Sequence, residues 1–226
     1  QFICIAHQYF FLHPHFRFPV PRKTEIAAFL YYSKLTCRRA DKILALSLGS
    51  QPRYSSRKIT IVPPLIRDEV FLLEPEEGDF VLGYMVNPAF EDQVIHWHDN
   101  HPEHSLHFFS DRKQTEQTEI LDFTLRFSKI NDSQFLRHLA KCKAYASTAG
   151  FESICEAMYL GKPVMMVPAH IEQYCNMIDA ERAGAGIGNT GFNMDPLISF
   201  KQKYKPNTEF RKWVESAERK IIEQLM

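Results

Sequence analysis

Short buried runs of apolar residues alternate with stretches of helical periodicity along nearly the whole chain. "QFICIAH" (1–7), "KILALSL" (42–48) and "ITIVPPLI" (59–66) read as strands, with "KTEIAAFLYYSKLTCRRA" (23–40) as a helix between the first two and a polar turn at 49–57. After an acidic connector, "RDEVFLLEPEEGD" (67–79), a second series begins. It runs through strand "FVLGYMV" (80–86), helix 90–101, strands "SLHFFS" and "TLRFSKI", and helix 132–142 opened by an Asp132 cap. Strand "AYAST" (144–148), a helix after Gly150, strand "PVMMVP" and a helix from about 172 to 183 follow. The tail 206–226 reads as one amphipathic helix with Trp213, Val214 and Ile221 or Ile222 as its buried stripe. Such alternation predicts α/β architecture with parallel sheets of βαβ units. The connector divides a partial first domain (1–66) from a complete second one (67–205), with the tail helix (206–226) packing back on the first.

Of 226 residues, 27 are Lys or Arg and 27 are Asp or Glu, a balance that argues against a nucleic-acid binder. No apolar run approaches the roughly 18 residues that suggest a membrane span. The five cysteines (4, 37, 142, 155, 175) are odd in number and lie in apolar segments. They fit reduced, buried thiols of a cytoplasmic protein. The chain opens inside a strand-like run, on Gln1 rather than Met, and reads as a piece of a longer protein.

Ligands of open α/β sheets sit at the carboxyl ends of the strands. That edge holds "STAGFESICEAMYLGKP" (147–163), where a strand breaks at Gly150 and feeds a helix. The N–H groups of Phe151, Glu152 and Ser153 at such a helix start suit an anion, and Gly150 allows close backbone approach. One turn on, Glu156 could accept hydrogen bonds from a ribose diol; equally, Ser153-x-x-Glu156 fits a capping box. Glu172, Gln173 and Asn176 cluster at the next strand exit with groups that suit sugar hydroxyls.

"TAGFESICEAMYLGKP" followed by "EQYCNMIDAERAGAG" resembles the donor-binding region of GT-B glycosyltransferases, above all the MurG-type N-acetylglucosaminyltransferases and their uncharacterised bacterial and archaeal relatives. Plant-type UDP-glycosyltransferases carry a similar run. "ICIAHQ" and "IVPPLIR" resemble first-domain strands of the MurG type. The resemblance implies a GT-B fold with a complete C-terminal Rossmann-like domain and an N-terminally truncated first one. It implies Gly150 to Ser153 at the donor diphosphate, Glu156 at the ribose, and Glu172, Gln173 and Asn176 at the donor sugar. Ser128, Lys129 and Ile130 would meet the base through their backbone, and His7 and Gln8 would line the acceptor cleft, His7 as the candidate catalytic base or as a group that orients the acceptor; equally, His7 reads as a histidine capping a strand end. The family's first loop of the second domain is Gly-rich, whereas "GYMVNPAF" has only Gly83.

The activity so implied is transfer of a sugar from a nucleotide-diphosphate sugar, UDP-linked by analogy, to a glycan, lipid-linked or other hydroxyl acceptor. It would be inverting, with no cofactor and no metal, in keeping with the lack of an Asp-x-Asp run. A sugar-nucleotide epimerase of the same fold and a non-catalytic binding subunit needing a partner are the alternatives. The location implied is cytoplasmic, or peripheral at the inner face of the membrane. Histidines 96, 98, 101, 104 and 107 fit no regular zinc spacing and read as surface residues, and His13 and His15 as loop residues.

Overall fold

The computed structural model describes residues 2–14, 16–18, 22–50, 58–111 and 118–226. His15 and positions 51–57 of the expected polar turn lie outside these.

Two parallel sheets form. In the smaller, β1 (Ile3–Ala6), β2 (Lys42–Leu46) and β3 (Ile59–Val62) pair in the order β1-β2-β3, with α1 (Lys23–Thr36) between β1 and β2. The larger comprises β4 (Phe80–Met85), β5 (Ser105–Ser110), β6 (Thr118–Ile120), β7 (Leu125–Lys129), β8 (Ala144–Ser147), β9 (Val164–Met166) and β10 (Gly186–Gly188). Their order is β10-β9-β8-β4-β5-β7-β6, with only β6 antiparallel to its neighbour. From β4 the chain builds outward through β5 and β7, then returns to lay β8 on the other side of β4. The topological switch point therefore lies between β4 and β8, and the loops leaving those strands flank a crevice there.

Residues on both faces of the large sheet are apolar because helices cover both. Leu82, Phe109 and Tyr145 pack on one face with Phe135, Leu136 and Leu139 of α3 (Asp132–Lys141) and Ile154 and Met158 of α4 (Phe151–Tyr159). Val81, Phe108 and Phe127 pack on the other with Val94 and Trp97 of α2 (Glu91–Asp99) and Leu197 of α6 (Asp195–Lys201). Burial of each such side chain contributes about 1.5–3 kcal/mol. Gly83 sits inside β4 rather than in the loop after it. A Cβ there would lie 2.0 Å from the Phe108 ring, which lies against the bare backbone instead.

The small sheet is covered from the second half of the chain. Cys175 and Ile178 of α5 (Ile171–Arg182) join Cys4, Phe11, Phe29 and Ala45 on one face. Ala217 and Ile221 of α8 (Ala217–Leu225) close the other over Leu44 and Val62.

Several local expectations change. The tail is two helices, α7 (Thr208–Glu215) and α8, broken at Ser216. Phe210 and Val214 join the core beside α4, whereas Ala217 and Ile221 cover the small sheet. The break lets one segment reach both surfaces. Ile221 is the buried member of its pair, and Ile222 is 45% exposed. α3 is capped by Asn131, whose Oδ1 accepts from Gln134 N at 2.9 Å, not by Asp132. β6, β10 and α6 are too short to show a period in sequence.

The five cysteines are buried and free. The histidine cluster is only partly at the surface: His96 is exposed and His101 and His104 are half-buried, whereas His98 and His107 are buried, His98 against Asp122 at 3.0 Å and His107 against Ser128 Oγ at 2.8 Å. Burial pushes His107 down to about 3. His101 stacks on Trp97 with ring centroids 4.3 Å apart. His13 too is buried. Among the described residues no group of His, Cys, Asp or Glu is placed to hold a metal ion, and no helix is long and apolar enough to cross a membrane.

Candidate functional site

β8 is buried along its whole length and delivers the chain to the sheet's carboxyl edge at Thr148, where Thr148 N donates to Tyr84 O of neighbouring β4 at 3.4 Å. The turn into α4 is made one residue earlier than expected. Ala149, not Gly150, adopts the left-handed conformation, with φ 62°. That region costs an L-residue with a Cβ about 1–2 kcal/mol, so the surroundings must hold it. Ser147 Oγ accepts from Ala149 N at 3.1 Å, and Asn176 Nδ2 donates to Ala149 O at 3.0 Å.

Gly150 caps α4 with φ −67° and ψ 129° and offers no side chain to the helix's first N–H groups. A Cβ built on it would meet only Ser153 Oγ, at 3.6 Å, so its glycine is needed by nothing in the chain itself. What it leaves is open backbone facing the edge. Ser153 Oγ donates back to Gly150 O at 3.2 Å, which removes the capping box. Phe151, Glu152 and Ser153 thus present a helix N-terminus beside the switch point. Such a terminus favours an anion.

Glu156, expected at the ribose, is fully buried. Arg67, at the exit from β3, donates to both its oxygens, Nε to Oε1 at 2.6 Å and Nη2 to Oε2 at 2.7 Å. The Nη1 of Arg67 lies 3.4 Å from Asp132 Oδ1. Burial pushes the Glu156 carboxyl up, against the pull of the guanidinium, and the hydrogen-bonded carboxylate in turn raises Arg67. The group turned toward solvent here is therefore the arginine, whose side chain is 26% exposed. Nothing in the sequence singled it out.

Asn176, expected at a sugar, is also buried, its amide spent on Ala149 O and on His7. Glu172 stays exposed at the start of α5, and Gln173 Oε1 accepts from Ala169 N at 2.8 Å in the loop leaving β9. At the exit of β7, Ser128 Oγ points inward, 2.8 Å from both His107 Nε2 and Thr118 Oγ1. Lys129 and Ile130 follow it, Ile130 against the core.

His7 directly follows β1 and turns toward α5. Its Nδ1 lies 3.1 Å from Asn176 Oδ1 and its Nε2 3.1 Å from Asp179 Oδ2. Because Asn176 Nδ2 is the donor to Ala149, its oxygen is what faces His7. Both ring nitrogens thus lie within hydrogen-bond distance of side-chain oxygens of α5. His7, expected as the candidate base, is buried and links the end of β1 to α5. Gln8 turns away to α1, its Nε2 3.4 Å from Thr36 Oγ1.

The edge therefore collects the loops after β4, β7, β8 and β9, and withdraws Glu156, Asn176 and His7 beneath it. Comparison with protein-family models matches residues 14–203 of this chain to glycosyl transferase family 1. The chain belongs to that family. Among relatives of this family 1 chain, the putative UDP-glucuronosyltransferase ugt-50 of Caenorhabditis elegans is 32% identical over 84 residues, 37% of this chain and 14% of its own length.

Two solved structures share the fold of the family 1 chain. LpCGTa, crystallised in complex with UDP, superposes with a TM-score of 0.59 at 16% identity, over 88% of this chain and 54% of its own. Arabidopsis thaliana UGT89C1, complexed with UDP, gives 0.56 at 13% identity, over 95% and 61%. The chain thus spans little more than half the length of these proteins. The paired parallel sheets bear out the expected α/β, GT-B class.

Proposed function

We propose that this family 1 chain binds a nucleotide-diphosphate sugar, UDP-linked, at the Gly150 loop and serves transfer of its sugar to an acceptor hydroxyl. The observation that carries the reading is the open N-terminus of α4 beside the β4/β8 switch point, where Gly150 leaves room that its own fold does not need. Support comes from the family match, from the MurG-type resemblance of 148–163, and from UDP in the two complexes of like fold.

In this reading the N–H groups of Phe151, Glu152 and Ser153 and the α4 dipole stabilise the diphosphate as it departs, without a metal. Glu172 and Gln173 face the donor sugar, and the backbone of Ser128 to Ile130 the base. Arg67 covers Glu156, so a ribose would meet the guanidinium first. The acceptor oxygen attacks the anomeric carbon from the face opposite the diphosphate, which inverts that centre. Its proton passes to a general base at the acceptor cleft.

Titration of UDP, GDP, dTDP and ADP by calorimetry tests this. Preferred binding of one diphosphate, abolished in Gly150→Val, supports the site. Failure of all four to bind the folded chain removes it.

A further inference from the structure

Ala149 holds a backbone conformation that its side chain disfavours, and the bond that pins its carbonyl comes from Asn176. Asn176 is in turn oriented by His7, the one residue of the small sheet's first strand-to-turn junction that reaches α5 with both ring nitrogens. The same ring stacks on Phe151 at 3.6 Å, on the far side of Gly150. His7 thus touches the turn at both of its ends, once through Asn176 and once directly.

We propose that His7 is a positioning residue for the Gly150 loop: by fixing the Asn176 amide it keeps Ala149 left-handed, so that the seating of the small sheet on α5 sets the loop's affinity for a nucleoside diphosphate. The proposal deepens the reading above and rests on it for its ligand, though not for its geometry. His7 has two arms. The Nδ1 arm reaches the loop through Asn176; the Nε2 arm ends on Asp179, which is buried and bonds to His7. The two arms can be cut separately. Asn at position 7 places an amide near Nδ1, and Gln places one near Nε2.

Without the clamp, Ala149 leaves the left-handed region for most of the time, and the competent loop becomes a minor state. Apparent affinity falls by the fraction that remains, about tenfold. Glycine visits this region nearly freely, so a chain carrying Ala149→Gly has less to lose when the clamp is cut.

The experiment measures UDP affinity by calorimetry in wild type, His7→Asn, His7→Gln and Asn176→Ala, each alone and with Ala149→Gly, with thermal melts confirming folding. Expected are near-wild-type affinity in His7→Asn, losses of about tenfold in His7→Gln and Asn176→Ala, and losses of about threefold or less when Ala149→Gly is present. Equal affinities in His7→Asn and His7→Gln, or losses unchanged by Ala149→Gly, overturn the proposal. If wild type binds no UDP, amide exchange of residues 150–153 decides it alone. Faster exchange in His7→Gln and Asn176→Ala than in His7→Asn supports the clamp, and equal rates overturn it.

Discussion

His7 and Phe151 stack face to face, ring centroids 3.6 Å apart and planes within 12°, although one directly follows the first strand of the small sheet and the other opens the helix that follows β8 of the large one. The contact ties the placement of the two sheets to the loop on which the proposed donor depends. It also sorts the site's residues into those that face outward and those that hold them.

Gly150→Val should separate ligand binding from folding. At φ −67° and ψ 129° a valine is at ease, and its Cβ has only Ser153 Oγ at 3.6 Å to consider. Losing a glycine from the unfolded chain adds about 0.4–1 kcal/mol of stability. The variant should unfold in urea at or slightly above the wild-type midpoint while UDP binding falls more than tenfold. A large drop in the midpoint would mean that the glycine serves the fold.

Arg67→Met should be costly because it strands Glu156. Removal of one partner from a buried pair costs about 3–5 kcal/mol, and the quarter-exposed arginine places this pair near the low end. Arg67→Met with Glu156→Leu should recover most of that loss. Denaturant midpoints of the two variants check it, and equal instability would show that the arginine matters by contacts other than Glu156.

His107 should give the protein an acid-sensitive limb. Its folded value, about 3, lies below the ordinary 6.5 because burial disfavours the cation. Stability from keeping it neutral is present above pH 6.5 and is lost as pH falls toward 3, because the unfolded chain takes up the proton first. The full loss amounts to roughly 3–5 kcal/mol. His107→Gln, which can still bond Ser128, should flatten the fall in urea midpoint between pH 7 and pH 4; a fall as steep as wild type would assign the limb to other groups.

Gly83→Ala should damage the core of the large sheet. The new methyl would overlap the Phe108 ring, and overpacking of this kind costs typically 1–3 kcal/mol. The pair Gly83→Ala with Phe108→Leu should be more stable than Gly83→Ala alone by thermal melt.

Strand and helix alternation was legible because both faces of the large sheet are covered, which makes its strands nearly continuous apolar runs such as "VMM" and "LHFF". The Gly150 loop was legible because backbone chemistry at a strand-to-helix turn leaves a local signature. The contacts around it were not. Arg67 and Glu156 are 89 positions apart, and His7 and Asp179 are 172 apart. Residue type alone does not tell an outward carboxylate from one folded beneath an arginine. Nor did spacing reveal that the left-handed turn residue is Ala149, since a neighbouring glycine is the better guess on propensity.

The small sheet's underside is closed by Ala217 and Ile221, near the far end of the described chain, while its strands are finished by Val62. During synthesis, at about 5–20 residues per second, those strands wait on the order of ten seconds before their cover emerges. For that interval Leu44 and Val62 face water or a chaperone. The small sheet is therefore completed well after its own strands are made, once α8 has emerged to cover it.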